Sequence, residues 1–398
     1  MDNQRVKFPE VLFFQEGPGV RNTQYTNEGV KLLNVANLVD GSIDLSTSDR
    51  YISTSEAFGK YKHFLCDEGD FIVASSGIKV EYIDKKMGFV TKEMLPLCMN
   101  TSTIRFKALD KNILNIRYFM YFLKSNDFKQ QLARHITGSA QLNYGPSHLK
   151  IMTMPLVSIE EQVAIVNKLD ITADLLQIRN KQLQKFDDLI KARFVEMFGA
   201  EDNPFHWDII NVEEIANVSV GVGIKPAQYY TDSEHGVKAF RSLNIGPMCV
   251  KDNDWVYFSP EGHAKNQKSQ LCENDLLIVR SGAPGTSCVV TKKFEGCNAI
   301  DIIIARPNIE RINPYYLCAY TNLPHGKKQI EEGTGGAAQQ HFNVGKFNKL
   351  NLFLPPLRLQ NQFANFVTQI DKSKVVYLKA ARKYHKQSKV VEMKMSQC

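Results

Sequence analysis

The stretch Gly138-Ser-Ala-Gln-Leu-Asn-Tyr-Gly-Pro-Ser-His-Leu-Lys-Ile-Met-Thr-Met-Pro-Leu-Val-Ser-Ile-Glu-Glu-Gln162 decides the fold, because its pattern returns between Gly336 and Gln360 at a constant offset of 198 residues. Each copy begins with a Gly-x-x-Gln loop, passes through a short apolar segment and ends where a long polar-apolar run begins. Such self-similarity at a fixed offset is the signature of a repeated architecture. The sequence therefore predicts two tandem copies of one fold, each followed by a long helix.

Three further blocks recur in the same order. Gly29-Val-Lys31 is answered by Gly236-Val-Lys238 at an offset of 207, and Asp70 before an apolar run is answered by Asp275 at 205. Asn115 is answered by Asn313, again at 198. The drift in the offset indicates small changes in loop length between the copies. Both copies read as short strands and turns with one more helical piece, over 116–123 in the first copy.

A long helix is predicted after each strand-rich copy, since apolar positions recur there in steps of three and four, the period of a coiled-coil seam. The first seam runs through Ile165, Leu169, Thr172, Leu176, Arg179, Leu183, Phe186 and Ile190, and the second through Phe363, Val367, Ile370, Lys374, Tyr377, Ala381, Tyr384, Ser388 and Val391. Packing the two stripes on each other, antiparallel if a two-fold axis relates the halves, would bury both. Gly199 and Pro204 mark the end of the first helix.

The predicted fold class is α+β, with two similar strand-rich domains in tandem and two long helices packed as an antiparallel coiled coil with pseudo-two-fold symmetry. Helices of about 32 to 38 residues would be rods of about 48 to 57 Å. Two domains near the ends of such rods would suit a bipartite duplex target, at roughly 34 to 36 Å per DNA turn. The same geometry suits a protein scaffold equally well.

Composition sets the outer limits. The chain has 398 residues, 43% of them hydrophobic and 23% charged, and a net charge of +7. The length favours two to four domains, and the charge only slightly favours a polyanionic partner. No long uncharged apolar window and no signal-type N-terminus are present, so we expect a cytoplasmic protein. The eight cysteines contain no Cys-x-x-Cys pair, and we expect them to be reduced and mostly buried.

These blocks, with Pro355-Pro-Leu-x-x-Gln360 opening the second helix and Lys191-Ala-Arg-Phe-Val-Glu-Met-Phe-Gly199 closing the first, resemble the specificity subunit of a type I restriction-modification system. The resemblance covers essentially the whole chain. It implies two target recognition domains, 1–155 and 200–355, and two conserved helical regions, 156–199 and 356–398, that act as a ruler. It also implies a non-catalytic role in bacterial defence, with each recognition domain reading one half of a bipartite double-stranded DNA site.

The resemblance further implies partners that carry the chemistry. Two modification subunits, which are methyltransferases, are expected to dock on the chain and to be placed over an adenine in each half-site, and restriction subunits are expected in the complete nuclease. No cofactor is expected in this chain. S-adenosylmethionine is expected on the modification partner, and ATP and Mg on the restriction partner.

The chain departs from the family pattern at its start. The second copy opens with Trp207 and a short amphipathic lead, but the first copy lacks that Trp and begins from 8–19. Val157-Ser158 also stands where the second copy has Pro355-Pro356. These differences leave the edges of the first domain open.

Catalytic motifs are missing from the sequence. Asn203-Pro204-Phe205 lacks the second proline of an amino-methyltransferase loop, and neither Gly17-Pro-Gly19 nor 333–336 ends as a phosphate-binding loop does. The His residues show no metal-binding spacing. Asp70 and Asp275 could be mistaken for nuclease carboxylates, but their repetition without a following Glu-x-Lys favours a structural turn. A self-contained restriction-methylation enzyme is therefore a weak alternative.

DNA contacts are expected from loop side chains, because phosphates attract Lys and Arg, while base edges pair with Arg or Lys for guanine and with Asn or Gln for adenine. Positive and amide side chains recur at equivalent loops of the two copies, although any single one could be a solvated surface residue. The candidates are Arg21, Asn22, Gln24, Tyr25, Lys79, Lys225, Gln228, Tyr229, Arg241, Lys265 and Arg280.

Two other features keep two interpretations each. Gln141 and Gln339 in the repeated loops could contact DNA or a partner subunit, or could hydrogen-bond the start of the following helix. The Lys- and Arg-rich tail over 372–394 is more readily the solvated face of a helix than a DNA contact. The alternative function is a non-catalytic scaffold with two protein-binding domains joined by a helical spacer.

Overall fold

The computed structural model describes residues 5–77, 79–135, 143–200, 202–334 and 342–397. The chain forms two compact units, of which unit 1 comprises Met1–Arg179 with Lys379–Cys398 and unit 2 comprises Asn180–Leu378. Both units combine short strands with helices. The predicted α+β class, with two strand-rich domains and two long helices, is confirmed. The loop glutamines Gln141 and Gln339 lie outside the described residues.

Unit 1 begins with a strand, a single helical turn and a second strand. Its strands are β1 Arg5–Lys7, β2 Leu12–Glu16, β3 Val30–Leu33, β4 Leu38–Val39, β5 Ser42–Ile43, β6 Tyr51–Ile52, β7 Phe71–Ala74, β8 Met87–Phe89, β9 Leu97–Met99, β10 Thr103–Ala108 and β11 Thr153–Pro155. Its helices are α1 Phe8–Val11, α2 Thr54–Phe58, α3 Ile116–Lys124, α4 Asn126–His135, α5 Pro146–Leu149 and the first half of α6 Ile159–Phe198.

Unit 2 repeats this order. Its strands are β12 Asp208–Asn211, β13 Ala216–Val220, β14 Tyr230–Thr231, β15 Val237–Phe240, β16 Ile245–Gly246, β17 Cys249–Val250, β18 Val256–Phe258, β19 Leu276–Val279, β20 Ser287–Val289, β21 Asn298–Ala299, β22 Ile302–Pro307 and β23 Asn351–Leu354. Its helices are α7 Pro260–Lys265, α8 Pro314–Asn322, α9 Pro324–Thr334, α10 Val344–Asn348 and α11 Leu357–Gln397.

The central sheet has the same topology in both units. Unit 1 has the antiparallel order β2-β10-β7-β8, and unit 2 has β13-β22-β19-β20. Strands β7 and β19 are completely buried runs, Phe-Ile-Val-Ala and Leu-Leu-Ile-Val, as expected of central strands rich in β-branched residues. The opposing residues match as well, since Phe71 faces Phe106 where Leu276 faces Ala305. The tandem repeat is therefore a repeat of one sheet.

The two openings are equivalent, although the sequence led us to expect different ones. Val6 of β1 pairs with Met154 of β11, and Ile210 of β12 pairs with Leu352 of β23. The sequence concealed this because β1 is only three residues long and precedes a helical turn with Pro9. The family-type Trp207 serves another purpose, since its indole N–H donates to the Phe198 carbonyl and fastens the end of α6.

The long helices cover 40 and 41 residues, or about 60 Å each, and are somewhat longer than predicted. Helix α6 ends at Gly199, whose φ of +90° favours glycine and whose missing Cβ leaves room for the ring of Pro204. A Cβ there would lie 2.4 Å from the Pro204 ring. The predicted glycine stop is confirmed.

Within unit 2, the end of α6 packs on the start of α11. Phe194 and Phe198 of α6 form edge-on contacts with Phe363 of α11 at ring distances of 5.4 and 5.6 Å. Further along, Phe186 contacts Tyr377 at 5.4 Å. Since the residue numbers rise in one helix as they fall in the other, the pair is antiparallel, as predicted. Burying each aromatic ring stabilises this packing by roughly 2 to 3 kcal/mol.

The predicted seams are largely confirmed. Within unit 1, Leu169 of α6 joins the core, and within unit 2, Ile190 of α6 and Val367 of α11 are buried. The side chains of Ala381, Tyr384, Ser388 and Val391 lie outside the described part. In the described part of the chain, no helix is both long enough and apolar enough to span a bilayer. The domain limits 1–155, 156–199, 200–355 and 356–398 remain a prediction.

Candidate nucleic-acid interface

Each recognition fold is tied to its long helix by a buried glutamine. In unit 1, the Gln162 side-chain oxygen accepts from the Asn115 N–H at 2.8 Å, and its NH2 donates to the Ile113 and Val157 carbonyls at 2.8 Å. In unit 2, Gln360 accepts from Asn313 at 2.8 Å and donates to the carbonyls of Arg311 and Pro355. Both side chains are fully buried. The constant offset of 198 therefore marks the same hydrogen-bonded contact in both units, which we call the joint: Gln162 with Asn115 in unit 1 and Gln360 with Asn313 in unit 2.

A second glutamine repeats at the same offset and was not singled out from the sequence. Gln131 forms two amide hydrogen bonds with the backbone of Thr153, and Gln329 forms the same pair with Asn351. Both strands that are held in this way lead directly into the joint. The signal was available, since 131 and 329 differ by 198.

The repeated aspartates fasten turns, as the sequence predicted. Asp70 accepts from the Asp67 N–H at 2.9 Å and pairs with Arg105 and Lys107. Asp275 accepts from the Cys272 N–H at 2.8 Å and forms a two-pronged pair with Arg306, both contacts at 2.8 Å. Both carboxylates are buried at the base of the central sheet. Neither carboxylate is arranged as a nuclease ligand.

The first candidate loop, 17–25, follows β2. Gly17 starts it against the Asn100 carbonyl, where a Cβ would lie only 2.0 Å away. Arg21 and Asn22 are exposed, but Gln24 and Tyr25 are half-buried. The Gln24 amide donates to Glu56 at 2.8 Å and to the Tyr61 hydroxyl at 3.0 Å. This loop is braced against α2.

Tyr25 is also engaged inside unit 1. Its hydroxyl accepts from Asn100 at 3.3 Å, and the Arg50 guanidinium lies over its ring at 5.2 Å. The structure thus leaves Arg21 and Asn22 as the candidates of this loop whose side chains face solvent. Lys79 is exposed as well, after β7.

The second candidate loop, 221–229, occupies the matching place after β13. Gly221 starts it against the Ala299 carbonyl, 2.4 Å from where a Cβ would lie. Lys225 and Gln228 are exposed, and Lys225 has left-handed backbone geometry with φ of +43°. Tyr229 is half-buried and packs on Phe258 with a ring distance of 5.6 Å. The predicted equivalence of the two loops is therefore a property of the fold.

Helix α7 carries Lys265 beside this loop. The absent Cβ of Gly262 lets α7 approach the loop, because a Cβ there would lie 2.7 Å from that of Tyr229. Lys265 is exposed on this helix. The structure brings Lys225, Gln228 and Lys265 onto two adjoining elements of unit 2.

Arg241 and Arg280 are held by intramolecular contacts. Arg241 donates to the Asp254 carbonyl, and Arg280 pairs with Asp301 while also donating to the Phe342 carbonyl. The Arg280 side chain is only 17% exposed. The Phe342 backbone N–H in turn donates to the Arg280 carbonyl at 2.9 Å.

A lysine that the sequence signalled only as part of a repeat lies on β3 in unit 1 and on β15 in unit 2. Lys31 on β3 pairs with Asp49 at 2.8 Å and lies over the Tyr51 ring at 5.1 Å. Hydrogen bonding to Asp49 is the main cause that raises the pKa of Lys31. Lys238 on β15 repeats this arrangement with Asp252, at 3.1 Å, and the Trp255 ring, at 4.8 Å.

Asp252 collects three donors in unit 2. Lys293 and the Trp255 indole N–H donate the two hydrogen bonds with the largest effect, and Lys238 donates a third. Together they hold the pKa of the Asp252 carboxyl well below its usual range. Among the described residues, no group of three His, Cys, Asp or Glu side chains is placed to hold a metal ion. The arrangement offers amides, cations and half-exposed aromatic rings, which is the chemistry of nucleic-acid contact.

Comparison with known proteins finds a family match in the first half of the chain. Residues 20–186 match the family described as Type I restriction modification DNA specificity domain. Residues 20–186 are therefore similar to the DNA specificity domain of type I restriction-modification systems. The matched description agrees with the expectation of a specificity subunit.

Relatives and a solved structure agree with the specificity-subunit family. The type I restriction enzyme MjaVIII specificity subunit of Methanocaldococcus jannaschii is 25% identical over 190 residues, which cover 47% of this chain and 43% of that protein. The putative MjaX specificity subunit of the same organism is 23% identical over 86% of this chain and 80% of its own length. The M. genitalium S subunit superposes with a TM-score of 0.54 at 15% identity, covering 98% of this chain and 95% of that one, and supports the fold.

Proposed function

We propose that this chain is the sequence-specific double-stranded DNA recognition subunit of a type I restriction-modification complex. It reads a bipartite target and does no chemistry of its own. The observation that carries the proposal is the duplicated sheet with its duplicated glutamine joint, Gln162 and Gln360. A protein with two DNA-recognition domains must attach both of them to their long helices in the same way, while the loops that contact bases can differ.

The loop chemistry supports DNA as the partner. Lys225, Gln228 and Lys265 in unit 2, with Arg21 and Asn22 in unit 1, supply exposed cations and amides at matching places of the two folds. Cations bind phosphates without regard to sequence, and amides bond the edges of bases. Two different loops imply two different half-sites.

The chemistry of the complex belongs to its partners. We propose that two modification subunits and, in the nuclease form, restriction subunits assemble with this chain in the cytoplasm. S-adenosylmethionine would then bind to the former, and ATP with Mg to the latter. The long helices α6 and α11, whose solvent-facing sides are not needed for either core, are the proposed ruler and docking elements.

A binding experiment tests this function. The full chain, assembled with its modification subunit, is titrated against a randomised duplex library and against single duplexes at 50 to 200 mM salt. We expect enrichment of a two-part motif and an affinity that falls steeply with salt, by about 100-fold or more for four or five phosphate contacts. Salt-insensitive assembly without any enriched motif would instead identify a protein scaffold.

A further inference from the structure

The glutamines Gln24 and Gln228 occupy the same position of the two candidate loops but have opposite environments. In unit 1, the Gln24 amide donates hydrogen bonds to the Glu56 carboxylate and to the Tyr61 hydroxyl. In unit 2, Gln228 is exposed, and its side chain forms no hydrogen bond with any described residue. The difference has a structural cause in the helix that packs beside each loop.

Helices α2 and α7 are equivalent, and aligning them shows which residues of unit 2 stand where Glu56 and Tyr61 stand in unit 1. Ser53 caps α2 by accepting from the Glu56 N–H, and Ser259 caps α7 by accepting from the Gly262 N–H. Glu56 therefore corresponds to Gly262. Because a Cβ at Gly262 would lie 2.7 Å from the Tyr229 Cβ, no carboxylate side chain can stand there without displacing the loop.

The second anchor is missing as well. The isolated bridges Leu65 to Cys98 and Gln270 to Asn298 align the segments after the two helices, so Tyr61 corresponds to Asn266. Asn266 turns its amide to the Gly262 carbonyl at 2.7 Å. Unit 2 thus lacks both groups that brace Gln24 in unit 1.

The neighbours of Gln228 also point outward. Ile224 is 81% exposed, the highest value among the exposed large hydrophobic side chains, whereas its counterpart Val20 is buried at 5%. Lys225 adopts left-handed geometry, which is strained for a residue with a side chain and is concentrated at binding sites. The loop therefore presents an apolar side chain, a cation and an amide to solvent within five residues.

We propose that loop 221–228 reads an A·T base pair in the second half-site from the major groove, with Gln228 bonding the adenine edge and Ile224 contacting a thymine methyl. An amide is the side chain that matches adenine N6 and N7, and apolar groups match the C5-methyl of thymine. Lys225 binds a neighbouring phosphate and sets the loop on the backbone. Gln24 is a brace of the unit 1 loop and reads no base. This inference rests on the proposed DNA-recognition function.

The test compares variants of the full chain, assembled with its modification subunit, on the randomised duplex library. Gln228→Ala is expected to lose preference for A·T at one position of one half-site by about 5- to 150-fold, the range for one bidentate base contact. Gln228→Glu is expected to move that preference toward cytosine, whose N4 donates to a carboxylate. Lys349→Gln, at an exposed position beside β23 and outside the candidate loops, is expected to leave every base preference in place.

The apolar contact has its own chemical test. Replacing the thymine of the mapped pair by deoxyuridine removes only the methyl group, and should weaken binding of the unaltered chain but not of Ile224→Ala. Both side chains are exposed, so the unfolding midpoints of the two variants should equal that of the unaltered chain.

The outcomes separate the two proposals. If the unaltered chain enriches no motif, the DNA-recognition function itself is wrong. If it enriches a motif that Gln228→Ala and Gln228→Glu leave unchanged at every position, or that Lys349→Gln relaxes to the same extent, the reading role of loop 221–228 is wrong.

Discussion

The side-chain oxygen of Gln162 accepts a hydrogen bond from the backbone N–H of Asn115 at 2.8 Å, and this contact caps the first turn of α3 from the first turn of α6. Asn115 is also the N-cap of α3, since its own side chain accepts from the Arg117 N–H. One buried amide therefore connects the recognition fold to the helix. The same connection recurs at Gln360 and Asn313.

Truncating this amide should destabilise each unit separately. Gln360→Ala removes the hydrogen bonds to the part-buried Asn313 N–H and Arg311 carbonyl and to the buried Pro355 carbonyl, and should cost about 2 to 4 kcal/mol, since an unsatisfied buried group costs about 1 to 3 and the part-buried groups cost less. Both tryptophans, Trp207 and Trp255, lie in unit 2. Tryptophan fluorescence in urea therefore reports unit 2 alone.

Gln162→Ala provides the reciprocal measurement. It should leave the urea midpoint of the fluorescence transition unchanged and lower the urea midpoint of the transition that circular dichroism assigns to unit 1. Gln177→Ala, at an exposed position of α6, is the matched control and should change neither transition. Equal effects of Gln177→Ala and Gln162→Ala would contradict the role of the joint.

The sequence predicted this joint by its offset but not its chemistry. A constant spacing of 198 shows that both copies share a segment, and an apolar pattern shows where the helices begin. The bracing of Gln24 could not be predicted, because its partners Glu56 and Tyr61 lie 32 and 37 residues away and are absent from the second copy. A sequence repeat shows which residues the two copies share. Tertiary contacts decide which of these shared residues is hydrogen-bonded inside its unit and which faces solvent.

The same limit applies to Arg280. Arg280 corresponds in sequence to Ser75 of the first copy, which is buried. The Arg280 side chain forms an ion pair with Asp301, whose backbone φ is +47°. Charge type and loop position alone indicated a DNA contact. Only the fold shows that its charge is already paired.

Asp275 and Arg306 should prove more important for stability than surface ion pairs. Asp275 has no exposed side-chain surface and bonds both Arg306 and the Cys272 N–H. Arg306→Met leaves a buried carboxylate with one partner lost and should cost about 3 to 5 kcal/mol in urea unfolding followed by tryptophan fluorescence.

The matched control for that pair is Lys292→Met. Lys292 pairs with Glu295 on the surface and is 76% exposed, so its loss should change stability by less than about 1 kcal/mol. The double variant Asp275→Asn with Arg306→Met should be less destabilised than the sum of the single changes, because no unpaired charge remains buried. A strictly additive result would contradict the coupling.

Acid should weaken the Asp252 cluster. Hydrogen bonds from Lys293 and Trp255, opposed by partial desolvation and helped by Lys238, hold the pKa of Asp252 well below its usual range. A depressed carboxyl pKa stabilises the folded state above the unfolded pKa, near 3.9, and this contribution is lost progressively below it. The stability difference between the unaltered chain and Asp252→Asn should be constant above about pH 5 and should narrow below about pH 4.

Urea unfolding at a series of pH values measures this difference, with Trp255 as a probe bonded to the carboxylate itself. Asp254→Asn, two residues away, serves as the control for charge removal. A difference that widens on acidification would refute the assignment.

The cysteines should divide into two reactivity classes. Burial raises the pKa of Cys66, Cys98 and Cys318 to about 12, so almost none of each is thiolate at pH 8. Cys249 and Cys272 are exposed, and desolvation raises the pKa of Cys249. Among the described cysteines, iodoacetamide should therefore modify Cys272 first, Cys249 more slowly and the buried thiols only in urea.

Peptide mass spectrometry follows each site separately, so no cysteine needs to be replaced. The order Cys272, Cys249, buried thiols should hold at pH 7 and pH 8, with the rates rising about tenfold per pH unit below the pKa of each thiol. Rapid native alkylation of Cys318, whose side chain is packed against Ser287, would contradict the described core of unit 2.

Removing loop cations should lower affinity without changing the motif. Lys225→Gln and Lys265→Gln each remove one proposed phosphate contact, because both lysines are exposed on the adjoining elements of loop 221–229 and α7. Each change should weaken binding to all duplexes alike and reduce the slope of log affinity against log salt by about 0.9. Fluorescence anisotropy from 50 to 200 mM salt measures both quantities. Lys349→Gln, an exposed lysine beside β23, makes the same charge change away from the loop and should leave the slope unaltered. If all three variants shift the slope equally, the effect is one of net charge and the loop makes no special contact with phosphates.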